Sequence, residues 1–374
     1  MITRSELIED KKMSEFLMLR QLKPNTIKNY TIAMRQYCQF RGLKPTELIE
    51  EADREEEKNI KHWKRKIRLQ LFNFCKDLRE RDKQVSTIKL YLVAVKTFYR
   101  EFDITLPNIR IKAGEIKRDT HVDIPKPEDI KLAVENSNTK YKAIILLMAS
   151  SGMGAAEITS LKVRDFYQSL DIPIETDITG YLDIHRPSDL LPENPVPAWH
   201  IRRVKINMEY YTFSSPESVD YIIRYLQSRQ DLKPDEFLFP AKGHDSDKQL
   251  KSQGLARYFS TLNNRCRFPK GFFHSHALRK YFASQLINKS NIPKTQIDWL
   301  MGHKPNKQDE AYFKSQPDKL KAQYMKSLEH LVVMEKVEVR EMTDERLREM
   351  EEGRKQDQKR IDELENIIKR RLQN

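Results

Sequence analysis

Apolar residues recur at three- and four-residue steps along most of this chain, a period that only a helix can place on one face. In the first ~110 residues, Ile27, Tyr30, Met34 and Tyr37 keep that step, with Asn25 or Thr26 as N-cap and Gly42 where a C′ residue belongs. A second helix is predicted near 62–79 with Trp63, Ile67, Leu71, Phe72 and Cys75 as its stripe. A third follows Ser86 as N-cap, with Ile88, Tyr91, Val95 and Phe98 inward and Lys89 and Lys96 outward. The aromatics read as core, and the outward cations as a face that can neutralise phosphates. Residues 106–126 break the period with Pro, Gly and a run of cations, which predicts a basic linker.

From 127 to 333 the reading is mixed. Helices are predicted near 128–136, 141–150, 218–230, 255–264, 277–288 and 294–301, and short strands at 181–185, 199–205 and 211–213. The last two strands form a hairpin. The fold class is therefore mainly α with a small antiparallel sheet: an α+β domain after a helical N-terminal domain. In the tail, Leu347, Met350, Ile361, Leu364 and Ile368 keep a heptad spacing that Arg354 and Asp357 interrupt, which predicts a long helix with a weak coiled-coil stripe. The division is 1–108, a helical domain; 109–126, the linker; 127–333, the mixed α+β domain; and 334–374, the helical tail.

Composition limits the partners. The 374 residues carry 68 Lys+Arg against 55 Asp+Glu, a formal net charge of +13, so a polyanion is the natural ligand. The strongest apolar run, 143–149, is too short to span a bilayer. The opening MITRSELIEDKK has no apolar core of a secretory signal. Cys38, Cys75 and Cys266 are odd in number and widely spaced, which argues against a disulfide scaffold or zinc knuckle and for a reducing cytoplasm. No GxxxxGK[ST] stretch or spaced carboxylate pair suggests ATP or a metal, so no cofactor is expected.

Five segments stand out together. HALRKYFASQLI begins at His276 and places Arg279 one helical turn on; DWLMGHK ends a helix at Gly302 and His303; AYF puts Tyr312 nine residues beyond His303. Upstream lie SSGMGAAEITSL and the hairpin segment WHIRRVKINMEYYTFSS. Their order and spacing resemble the tyrosine recombinase (phage integrase) family, in a form similar to integrases of archaeal mobile elements. The resemblance implies a recombinase that cuts and rejoins duplex DNA through a 3′-phosphotyrosyl link, without metal or ATP. It implies Tyr312 as nucleophile, Arg279 as a clamp on the transition state, Lys205 as general acid, and His276 and His303 as groups that position phosphate and protons. It also implies four protomers on two DNA sites, a cytoplasmic, nucleoid-associated protein, and docking of a helix at 320–331 into a neighbouring subunit. DNA contacts are expected from Lys89, Lys96, Arg110, Lys112, Lys117, Arg118, Arg202 and Arg203.

The residue types suit that chemistry. Guanidiniums can clamp the charge on a pentacoordinate phosphorus bidentately. A phenolate is both nucleophile and leaving group, so the covalent link is reversible. A lysine can protonate the departing 5′ oxygen. Tyr324 is the rival nucleophile, but with Leu320, Leu328 and Leu331 it reads as a buried stripe.

One position departs from the pattern. The family's first box, G-[LM]-R-x-[SGA]-E-[IL], places a clamping arginine three before its glutamate. Here Gly154 stands three before Glu157. Another cation, Arg164, Arg202 or Arg203, reaches the phosphate; or the chain binds DNA and cuts it weakly or not at all; or the sequence has been altered. A non-catalytic DNA-binding protein and a type IB-like topoisomerase are the alternatives. A metal-dependent nuclease is less favoured, and activity surviving EDTA would exclude it.

Overall fold

The computed structural model describes residues 2–106, 124–176, 191, 194–203, 208–229, 232–242, 245–304 and 317–334. The chain divides into two compact units, Met1–Arg118 and Asp119–Asn374. Tyr312, Lys205, Arg110, Lys112, Lys117, Arg118, the strand at 181–185, most of the linker and the tail beyond residue 334 lie outside the described residues.

The first unit is helical: α1 (Arg4–Glu9), α2 (Lys11–Leu19), α3 (Pro24–Arg41), α4 (Pro45–Glu57), α5 (Lys66–Glu80) and α6 (Val85–Glu101). Helix α3 begins two or three residues earlier than Asn25 or Thr26 would cap it, with Lys23 as N-cap and Pro24 in the first turn, where its missing N–H costs nothing. It ends at Gly42 in the left-handed region, as its position suggested. Met34 and Tyr37 are buried, and Tyr37 packs edge-on against Phe74, 5.1 Å between ring centroids.

Helix α5 corrects two residues of the predicted stripe. Trp63 lies in a 3-10 turn ahead of the helix and is 60% exposed; Phe72 is 52% exposed. The inward row is Ile67, Leu71, Phe74, Cys75 and Leu78, and Phe72 falls about 100° around the helix from Leu71. Helix α6 starts at Val85 with Gln84 as N-cap, not Ser86. Its Ile88, Val95 and Phe98 are buried, Tyr91 is half-buried and Lys89 is exposed. Lys96 is half-buried, and burial, then Arg100, lowers its pKa. Helices α1, α2 and α4 were not read from the sequence. Asp10 joins two of them, accepting from the Lys12 and Met13 amides at the head of α2 and from Thr46 (N 3.1 Å, Oγ1 2.9 Å) in α4.

The second unit holds α7 (Pro127–Glu135), α8 (Thr139–Ser151), α9 (Ala155–Ser160), α10 (Val163–Ser169), β1 (Ala198–Arg203), β2 (Met208–Phe213), α11 (Pro216–Gln227), β3 (Pro240–Lys242), β4 (Asp245–Gln249), α12 (Ser252–Arg265), α13 (Ser275–Lys289), α14 (Lys294–Leu300) and α15 (Pro317–Lys326). Strands β1 and β2 pair antiparallel, from Ala198 opposite Phe213 to Arg203 opposite Met208. Strands β3 and β4 form a second antiparallel hairpin, so the fold is α+β with helices dominant. The helix foreseen at 320–331 is α15, which stops at Lys326, followed by a 3-10 turn at Leu328–His330.

Helix α8 is the axis of this unit. Residues 143–151 are all buried, and α11 and α13 pack along it. A helix apolar on every side belongs at a core. Its last carbonyls have no partner within the helix, and side chains from three other elements satisfy them. Tyr324 Oη of α15 donates to Ser150 O (2.8 Å), Thr212 Oγ1 of β2 to Ser151 O (2.7 Å), and Arg279 of α13 to Gly152 O (2.6 Å). The end of α8 thus gathers the hairpin, α13 and α15 at one point. Among the described residues, no helix is long and apolar enough to cross a membrane.

Candidate active site

Around that point polar residues from the described parts of those segments converge. Arg279 is in the second turn of α13 and only 7% exposed. One terminal nitrogen donates to Gly152 O at the end of α8, the other to Met301 O at the end of α14. Helix C-termini carry partial negative charge, so two of them hold the guanidinium in place.

Arg203, the last residue of β1, sits alongside. It shares the inward face of the strand with Trp199 and Ile201, whereas Arg202 is on the exposed face. Its Nη1 donates to Gly302 O (2.5 Å), the carbonyl next to the one Arg279 holds, and its Nε lies 3.2 Å from Glu157 Oε1. Glu157 is buried in the first turn of α9. Tyr210 of β2 is fully buried between these groups. Burial, then the Glu157 carboxylate, pushes its phenol well above the ordinary range, against the pull of Arg279 and Arg203.

Gly302 makes this approach possible. Its φ is +64°, and a Cβ there would lie 2.5 Å from the Tyr210 ring. Gly302→Ala is expected to cost about 3 kcal/mol, combining the left-handed backbone with overpacking against the ring. A urea-unfolding midpoint unchanged from wild type would contradict that packing.

His303 follows on an exposed turn. Its Nδ1 is 3.1 Å from Asp298 Oδ1, which directs Nε2 outward. Burial raises the Asp298 pKa, but hydrogen bonds from Lys294 and His303 outweigh it and hold the carboxyl below its ordinary value. His276 stands exposed in the first turn of α13, its ring 6.4 Å from that of His274. Its pKa is lowered by partial burial, then by Lys280, His274, Arg279 and His303, so the imidazole is neutral at pH 7.

The structure therefore brings together Arg279, His276, His303, Gly154 and Arg203. Arg164 is elsewhere, paired with Asp235. Tyr324 is fully buried against Ser150, and burial, then the Glu217 charge, pushes its phenol well above the usual value; it is core, as its stripe suggested. Lys89 and Lys96 belong to the first unit. Tyr210 and Asp298 were not singled out from the sequence, and Glu157 was named only as the glutamate of the first box. Of the first two, Asp298 alone carries a local signal, lying five residues before His303.

The phage integrase family model matches residues 126–319. The chain belongs to the phage integrase family. Among solved structures, this family member resembles a lambda integrase (75–356) dimer bound to a COC′ core site, with 14% identity over 82% of this chain and 94% of that one, at a TM-score of 0.50. XerA recombinase matches at 19% identity over 85% and 98% of the two chains, TM-score 0.36. XerH bound to palindromic difH in a post-cleavage complex matches at 14% over 84% of each, TM-score 0.49. At such identities the lambda integrase likeness is one of fold. No curated protein matches the chain.

Proposed function

We propose that this integrase-family chain is a site-specific DNA recombinase of a mobile element, cutting and rejoining duplex DNA through a 3′-phosphotyrosyl link to Tyr312. The observation that carries the reading is the convergence of Arg279, His276 and His303 with a second guanidinium, Arg203, at the ends of α8 and α14. Such a group of fixed cations and imidazoles suits a phosphodiester gaining charge.

In the proposed step the Tyr312 oxygen bonds to phosphorus as the P–O5′ bond breaks, and the phenol proton passes to the His276 imidazole or to water. Lys205 gives its proton to the departing 5′ oxygen, and a 5′-hydroxyl reverses the reaction on the exchanged strand. Neutral His276 can accept or share a proton on the phosphate. His303, oriented by Asp298, does the same from the other side. We assign residues 1–108 to a DNA-binding domain, 109–126 to a basic linker along the backbone, 127–333 to catalysis and 334–374 to assembly. Lys89, Lys96, Arg110, Lys112, Lys117, Arg118 and Arg202 contact phosphates. Four protomers act on two sites in the cytoplasm, at the nucleoid.

A duplex nicked near the scissile phosphate tests this, because loss of the short fragment traps the intermediate. Covalent protein–DNA product in the presence of EDTA is expected. Tight binding without adduct contradicts the proposal and favours the one alternative with an observation behind it, a DNA-binding member disarmed at Gly154. Relaxation of supercoils without a preferred sequence would instead indicate a topoisomerase.

Lys205→Ala should slow cleavage of an ordinary 5′-oxygen substrate on the order of 100-fold. A 5′-thio leaving group departs without a proton, so it should lose far less. Equal loss on both substrates would remove Lys205 as the acid.

A further inference from the structure

Gly154 leaves the first box without its arginine, yet the space beside it is not empty. A Cβ at position 154 would meet Glu157 Oε2 at 2.5 Å. The other oxygen of that carboxylate, Oε1, pairs with Arg203 Nε at 3.2 Å. The glycine, the glutamate and the hairpin arginine thus form one arrangement. Absence of a side chain at 154 lets Glu157 swing back against the main chain, and there it fixes Arg203.

Arg203 is held as a phosphate clamp should be. Its Nε and one Nη1 proton are engaged by Glu157 and Gly302 O, which leaves the Nη2 edge without a partner among the described residues. Its side chain keeps 21% exposure, against 7% for the whole of Arg279. The two guanidiniums grip the successive carbonyls of Met301 and Gly302. Burial lowers the Arg279 pKa, and the nearby Arg203 charge adds to that against the pull of Tyr210 and Glu157. Two like charges fixed side by side before any ligand arrives form a preorganised site for an anion with two oxygens. The other cations proposed from the sequence do not fit: Arg164 is bound to Asp235, and Arg202 faces the opposite side of the strand.

We infer that Arg203 supplies the second guanidinium of the scissile-phosphate clamp, taking from a β-strand the role that the family pattern gives to residue 154. The inference rests on the proposed cleavage reaction. Arg203 makes and breaks no covalent bond; it neutralises the non-bridging oxygens while the tyrosyl oxygen replaces the 5′ oxygen on phosphorus. An arginine at 154 would also force the Glu157 carboxylate, which anchors Arg203, to shift, because the new Cβ would lie 2.5 Å from its Oε2.

The test compares wild type, Arg203→Ala, Gly154→Arg and the double variant on nicked duplexes. One duplex carries an ordinary scissile phosphate, the other a methylphosphonate lacking one charged oxygen. On phosphate, Arg203→Ala should cut on the order of 100-fold more slowly, as for loss of one donor to a transition-state oxyanion. On methylphosphonate the same change should cost only a few fold, because a neutral centre needs less clamping. Gly154→Arg alone should bring no gain, whereas adding it to Arg203→Ala should restore at least about tenfold of the lost rate. Equal loss on both duplexes makes Arg203 merely structural and overturns the inference. Wild-type rates from Arg203→Ala, or no recovery in the double variant, overturn it too. In these cases wild-type adduct still forms and the recombinase reading stands. No adduct from wild type on either duplex overturns both.

Discussion

Arg279→Ala is expected to lower strand cleavage on the order of 1000-fold while leaving duplex affinity within a few fold. The guanidinium lies at the floor of the site, gripped by the helix-end carbonyls of Gly152 and Met301. Its position is fixed before substrate arrives, so its remaining protons meet charge that grows on phosphorus without reorganising. On the proposed reading, duplex binding draws instead on many cations spread over a chain of net charge +13, and one buried arginine is a small part of that. The same substitution strands two buried carbonyls, so a stability loss of about 1–3 kcal/mol should accompany it. Arg279→Lys separates the two effects: it keeps the charge but cannot span both carbonyls, and should recover only part of the rate. Filter-binding and single-turnover cleavage on one duplex read both quantities. A loss of affinity as large as the loss of rate would contradict a role in the transition state.

Tyr312→Phe is expected to abolish adduct altogether, because on the proposed reading its phenol oxygen forms the bond to phosphorus. Tyr324 is the control. Its hydroxyl donates 2.8 Å to Ser150 O at the end of α8, with no exposure to solvent. Burial, then the Glu217 charge, holds that phenol in its protonated form, which suits a structural donor and not a nucleophile. Tyr324→Phe should therefore retain adduct formation and lose stability, about 1–2 kcal/mol for an unpaired buried carbonyl. Adduct from Tyr312→Phe, or its loss only in Tyr324→Phe, would reverse the assignment.

Much of the fold was legible where periodicity is long. Helix α3 keeps its stripe over 18 residues and α8 is apolar on all sides, so both were found. Helices α9 and α10 span 6 and 7 residues, under two turns, and leave no period to read. The β3–β4 hairpin was missed because Asp245–Gln249 (DSDKQ) is polar throughout and lacks the alternation that marks a strand. Phe72 was misassigned because an aromatic one position off a stripe looks apolar enough to belong to it.

The site was legible in its order of segments but not in its assembly. His276, Arg279 and His303 stand out because each lies at a helix boundary with a fixed spacing. Choosing between Arg202 and Arg203 required the strand's parity: with Trp199 and Ile201 buried, alternation turns 203 inward and 202 outward. Glu157 and Tyr210 gain their roles only from folding, which brings residues 157, 203, 210 and 279 from four different elements to one place. No local pattern signals such a meeting.

The most direct measurement is to digest the trapped protein–DNA adduct with protease and sequence the nucleotide-bearing peptide by mass spectrometry. A 3′-linked nucleotide on the tyrosine of the AYF segment, residue 312, is the expected result. The same nucleotide on Tyr324 or another side chain, or a 5′ linkage, would contradict the account.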